Sequence, residues 1–228
     1  ALSVRAIAER SSSFRREHDR FLANPEPCSV VVCTRDRPDE LAACLESLVA
    51  QDHPHFAVWV VDNGPASGLT SEVVDHFRDR LDIHYVAEPR PGLSKARNTA
   101  LRQDLLGDVV AWIDDDEIAD PLWLSELARA MSERPDACAV SGVVVPAELA
   151  TTSQLWFEQF GGHSKGRGFR AEEFVDGRSG VEALYPLPAF GVGANIADNG
   201  NERARGTCED FSSGRVVPVS DQFLVLAL

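Results

Sequence analysis

Four short apolar, β-branched runs, at residues 29–33, 57–61, 83–86 and 109–113, alternate with stretches whose apolar residues fall at helical spacing. This alternation constrains the chain more than any other feature: strands joined by helical crossovers run parallel, and their sheet needs cover on both faces. Between the first two runs Leu41, Cys44, Leu45 and Leu48 form one stripe, with Pro38 in the first turn and Asp39 and Glu40 near the positive helix end. Thr70 is placed to cap a second helix carrying Val73, Val74 and Phe77, and Ser94 a third carrying Ala96, Ala100, Leu101 and Leu105. Asp120 and Pro121 open a fourth helix, to about 131, and a fifth strand is expected within 137–145. The predicted fold class is α/β, a doubly wound, mostly parallel sheet with flanking helices and a ligand site beyond the carboxyl ends of the strands.

At 228 residues and 44% apolar content the chain can bury one substantial core. The expected division is a helical arm or remnant over 1–24, with Ile7, Phe14 and Phe21 on one side, a main domain over 25–197, and an atypical tail over 198–228. Glycines and charges over 164–180 read either as a mobile loop or lid, or as a surface excursion. No run reaches the 18 to 20 or so apolar residues of a membrane span, which leaves peripheral association open. The first twenty residues lack the pattern of a signal peptide, so a cytoplasmic location is expected. Five cysteines without a C-x-x-C pair argue against a disulfide framework or a zinc site. The net charge of −14 disfavours nucleic acid as a partner.

The fourth run ends in Asp114-Asp115-Asp116-Glu117. Like charges crowded at a strand tip repel one another unless a cation sits among them. Mg2+ or Mn2+ prefers oxygen ligands and commonly joins one or two carboxylates to substrate phosphates, so Asp114 and Asp116 are the candidate metal ligands. An exposed acidic turn is the plain alternative. The other strand ends are also polar. Thr34, Arg35, Asp36 and Arg37 suit a base, ribose or phosphate, and Asp62 before Asn63-Gly64 can accept from a uracil-type N–H or a ribose hydroxyl. An Asx-turn is the structural alternative for Asp62. After the third run, the stretch from Glu88 to Asn98 leads into a helix start where Lys95 and Arg97 add positive charge. His163 is a weaker candidate for a metal site, His53, His55, His76 and His84 read as structural, and Trp156 is a better cleft residue than Trp123.

In their order and spacing, Ser29 to Pro38, Val60-Val61-Asp62-Asn63-Gly64, Gly92-Leu93-Ser94-Lys95-Ala96-Arg97-Asn98, Asp114-Asp115-Asp116 and Phe190 to Asn195 resemble the signatures of family-two glycosyltransferases of the GT-A fold. The resemblance implies that Thr34, Arg37 and Asp62 hold the nucleoside. It implies that Arg97 faces the nucleotide from the helix start and that Asp116 is the more direct metal ligand of the D-x-D pair; Arg35, Lys95 and Asp115 are further candidates for the nucleotide side. It further implies metal-dependent, inverting transfer of a sugar from a nucleotide diphosphate sugar to an acceptor hydroxyl, with residues 191–195 bordering the sugar and acceptor cleft. The acidic pair that supplies the general base in the family matches Glu209-Asp210 here, about 14 residues after Asn195. Two other readings stand beside this one: a nucleotide-sugar-binding module without turnover, and a sugar nucleotidyltransferase. The latter calls for a glycine-rich phosphate loop, and Thr34-Arg35-Asp36-Arg37 has no glycine.

Overall fold

In a computed structural model of the chain, the structure describes residues 4–135, 137, 139–162, 196–199, 216–218 and 224–227. Four parallel strands, β1 (Cys28–Thr34), β2 (Phe56–Asn63), β3 (Ile83–Glu88) and β4 (Val109–Asp114), form the centre of the molecule. They coincide with the four apolar runs, each extended by a residue or more at one or both ends. The sheet continues through β8 (Ile196–Asn199), β6 (Ala139–Ser141) and β9 (Val216–Pro218) in the order β3-β2-β1-β4-β8-β6-β9. A second sheet orders β5 (Glu117–Ala119), β10 (Leu224–Ala227) and β7 (Val143–Pro146).

Side-chain alternation sends Val30, Val32, Val58, Val60, Ala111 and Ile113 to one face. There they pack on Leu41, Cys44, Leu45 and Leu48 of α2 (Pro38–Val49), Val74 and Phe77 of α3 (Leu69–Phe77), and Trp123, Leu124 and Leu127 of α5 (Trp123–Glu133). Val31, Val61, Val110 and Trp112 face the other way, onto Ala96 and Ala100 of α4 (Leu93–Ala100). Small residues let α4 lie close to the sheet.

Several expected boundaries move. Thr70 and Ser94 do not cap their helices; they sit inside α3 and α4, which start from the carbonyls of Gly68 and Gly92. α4 stops at Ala100, yet Leu101 and Leu105 still pack beneath it from the following loop. α5 begins at Trp123, with Asp120 Oδ1 accepting from the Leu122 N–H at 2.9 Å ahead of it. The single strand expected within 137–145 is two, β6 and β7, separated at Gly142 and belonging to different sheets. Gly107, at φ +68°, brings the entry to β4 so close to Pro27 that a Cβ there would lie 1.8 Å from its carbonyl oxygen.

The first helix, α1 (Val4–Leu22), lies against α5 and seats Phe14 and Phe21 on the core. Its His18 is buried between two acids, with Nδ1 2.5 Å from Glu126 of α5 and Nε2 2.7 Å from Asp52 of the α2–β2 loop. Glu126 is fully buried and also accepts from Arg129 Nε at 2.7 Å. Burial opposes the imidazolium, but hydrogen bonds and charge from Glu126 and Asp52 outweigh it and raise the His18 pKa. α6 (Thr152–Gln159) opens with a capping box in which Thr151 and Gln154 satisfy each other's backbone N–H groups. Trp156, Phe157 and Phe160 lie on its exposed surface or just beyond its end.

Candidate functional site

Parallel pairing aligns the strand ends. Thr34 lies opposite Asp62, Cys33 opposite Asp114, and Asn63 opposite Glu88, so the polar residues that terminate four strands share one rim. Asp62 is buried at the end of β2, where the Tyr85 hydroxyl donates to its Oδ2 at 2.9 Å. Its Oδ1 is buried without a hydrogen-bond partner among the described residues. Gly64, at φ +73°, turns the chain immediately afterwards.

The β3–α4 loop is tied to that turn. Asn63 donates from Nδ2 to the Arg90 carbonyl at 3.0 Å and accepts from the Gly92 N–H at 2.7 Å, while the Gly64 N–H donates to the Glu88 carbonyl at 2.7 Å. The Glu88 side chain, 3% exposed, accepts from the backbone and guanidinium of Arg90 and from the Thr99 hydroxyl at 2.6 Å. Those donors hold its carboxyl far below the usual range. The loop therefore delivers a fixed start to α4, with Lys95 exposed in its first turn. One turn along, Arg97 places its guanidinium over the Trp112 ring, 5.7 Å from the centroid, and Nη2 3.6 Å from Asp114 Oδ1. The indole N–H of Trp112 donates to the buried Asp198 of β8 at 2.6 Å.

Asp115 and Asp116 form the two-residue turn between β4 and β5, at the point where the chain passes from the main sheet to the smaller one. Thr34 Oγ1 donates to Asp115 Oδ2 at 2.7 Å, and both side chains are buried. Arg37 spreads a single nitrogen over two carboxylates, 3.3 Å from Asp115 Oδ1 and 2.9 Å from Asp116 Oδ2. Arg35 is exposed and, among the described residues, pairs with its neighbour Asp36 at 3.7 Å. Burial raises the pKa of Asp114 against the pull of Arg97, and that of Asp115 against Thr34 and Arg37. Glu117 is buried at 3% exposure with Oε2 unpartnered among the described residues. Burial, reinforced by Asp114, pushes its pKa up to about 9.

Thr34, Arg37, Asp62, Arg97, Asp114, Asp115 and Asp116 thus meet on one rim, with Lys95 and Arg35 more exposed at its edges. Glu209, Asp210, His163 and residues 191–195 lie outside the described residues. Trp123 is wholly buried, whereas Trp156 is 61% exposed. The sequence reading assigned nothing to Tyr85, Glu88 or Glu117. Glu117 had a visible signal, an acid followed by Ile118 and Ala119 as strand alternation resumes, and Arg90 stands two residues from Glu88, but the partner of Tyr85 appears only when strand ends are aligned. Among the described residues, no three His, Cys, Asp or Glu side chains gather so as to hold a metal by themselves, and no helix is long and apolar enough to cross a membrane.

A parallel sheet that collects an orphaned acceptor, a helix start with cations and an acidic turn on one rim defines an open α/β domain with its ligand crevice at the carboxyl ends of the strands. Residues 29–185 match Glycosyl transferase family 2, and the chain belongs to that family. It is 35% identical over 153 residues to a Glucosyl-dolichyl phosphate glucuronosyltransferase of Haloferax volcanii, covering 64% of this chain and 48% of that protein. It is 37% identical over 138 residues to the Succinoglycan biosynthesis protein ExoM of Rhizobium meliloti, covering 58% and 43%. The match thus spans less than half the length of either curated relative. S. aureus TarS (residues 1–349) superposes with a TM-score of 0.61 at 20% identity, over 87% of this chain and 60% of the other. The same region of TarS in complex with UDP-GlcNAc gives 0.61 at 19% identity, over 87% and 58%. At such identity the likeness concerns the fold, which is GT-A.

Proposed function

We propose that this chain transfers a sugar from a nucleotide diphosphate sugar to an acceptor hydroxyl, with inversion at the anomeric carbon and with Mg2+ or Mn2+ as cofactor. The observation that carries the reading is the register that sets Thr34, Asp62 and the 114–116 turn side by side on one rim of a family-2 domain. Leaving a buried acceptor unpaired costs about 1–3 kcal/mol, and the free Oδ1 of Asp62 suits an N–H or O–H of the nucleoside. A UDP-GlcNAc complex of TarS and a glucuronosyltransferase among the relatives support the same donor class.

The donor set fits a hard dication. Three carboxylates in succession, Asp114 to Asp116, face two guanidiniums, those of Arg37 and Arg97, which leaves excess negative charge at oxygen ligands. Asp116 and Asp114 would hold the ion, with the remaining ligands supplied by diphosphate and water. When bound, the ion offsets charge on the departing diphosphate. Thr34 and Asp62 orient the nucleoside, and Arg97 and the α4 start face the anion. Deprotonation of the acceptor falls to a carboxylate, for which Glu209 and Asp210 are the sequence candidates. Glu209→Gln and Asp210→Asn are tested by turnover, and unchanged rates in both remove that assignment.

Calorimetry with a panel of nucleotide diphosphates, with and without Mn2+, tests the reading. Binding should depend on Mn2+, and Asp116→Asn should weaken it at least about tenfold, which corresponds to about 1.4 kcal/mol. Equal affinity with and without the ion refutes the metal's part.

A further inference from the structure

We propose that Arg37 is a built-in counter-ion of the acidic turn, lying against Asp115 and Asp116 until a divalent cation displaces it; this rests on the reading of that turn as a cation seat. The contact differs from the forked guanidinium pairs of Arg80 and Arg90. Arg80 grips Glu46 through two nitrogens at 2.8 and 2.6 Å, and Arg90 grips Glu88 through two at 2.8 and 2.9 Å. Such forked pairs are specific to the planar guanidinium. Arg37 instead places Nη1 alone between two carboxylates, much as a point charge would sit.

The surroundings make the arm exchangeable while the turn keeps its shape. The Arg37 and Asp116 side chains are 50% and 42% exposed, and exposed ion pairs contribute little net stability. Asp115 is fixed independently by Thr34. The Arg37 backbone is occupied separately, its carbonyl accepting from the Leu41 N–H at 3.1 Å to start α2. Replacing the side chain therefore leaves the helix start and the Thr34–Asp115 bond in place. A cation entering at Asp116 meets the guanidinium in its way, so the arginine lowers affinity for free metal and offsets part of the rim's negative charge without it.

The test is titration of the full chain with Mn2+ alone, followed by the electron paramagnetic resonance signal of the free ion and by calorimetry. Arg37→Gln should bind Mn2+ about three- to tenfold more tightly than wild type. Arg37→Lys, which keeps the charge, should stay within about twofold of wild type, and Asp116→Asn should bind more weakly. If Arg37→Gln binds no better than wild type, including the case where neither binds, the counter-ion inference is overturned. With Asp116→Asn weakened and Arg37→Gln unchanged, the seat stands and only this inference fails. If Asp116→Asn binds as wild type does, the seat is wrong and both readings fall. Equal tightening in Arg37→Gln and Arg37→Lys assigns the effect to shape and also overturns it.

Discussion

Asp62 shows how a residue that reads as an ordinary strand-end turn becomes an acceptor aimed at a ligand. One carboxylate oxygen is satisfied by Tyr85 and the other has no partner among the described residues. Burial, followed by the adjoining Asp62 carboxylate, lifts the Tyr85 hydroxyl to a pKa of about 12, so it remains a donor through the neutral range. Tyr85→Phe removes that donor and leaves both oxygens of a buried carboxylate unpaired. Urea unfolding should then show a loss of about 1–3 kcal/mol, and unchanged stability would mean the hydroxyl is dispensable. The Asp62 acid was legible in the sequence; its phenolic partner, 23 positions away, depended on the β2–β3 register.

At the scale of elements, α1 is fastened to the domain by one titrating bridge. His18 faces Asp52 from the α2–β2 loop and Glu126 from α5, with Arg129 on the far side of Glu126. In the unfolded chain a histidine titrates near about 6.5, and in the fold the His18 value is raised. Its contribution is therefore complete below the unfolded value and is lost as pH rises through the folded one. Hydrogen exchange should report faster opening of α1 in alkaline than in mildly acidic solution. His18→Gln should flatten that dependence; a dependence that survives the substitution would place its origin elsewhere. His53 acts with the opposite sign: burial drives its pKa down to about 4, so its contribution is present above about 6.5 and disappears as pH falls through about 4. The amphipathic pattern of residues 1–24 announced a helix, but nothing local marked His18, because its acidic partners lie 34 and 108 positions away.

For the molecule as a whole, the acidic turn is a junction between two sheets. β5, which follows it directly, is held through β10, with Ala119 opposite Val225 and Glu117 opposite Ala227. β10 in turn runs parallel to β7. Removing residues 224–228 should leave β5 and β7 without their shared neighbour and loosen Glu117, so melting temperature and Mn2+-dependent nucleotide binding should fall together. For a chain of this length each kcal/mol lost lowers the midpoint by about 2–4 °C. Retention of full binding by the shortened chain would show that the junction holds without β10.

What the amino-acid sequence determined by itself were the features with local causes. Four short, mostly apolar and β-branched runs specify the parallel strands, and the helical stripes between them specify the crossovers. A string of carboxylates at a strand tip calls for positive charge in any context. Tertiary structure decided the rest, because each of these features needs two distant segments brought into register. The split of the expected fifth strand between two sheets, the tie of the Glu88 loop to Asn63, the stacking of Arg97 on Trp112 and the single-nitrogen reach of Arg37 across two carboxylates all arise from packing, where charge and hydrogen-bonding capacity are paired across space.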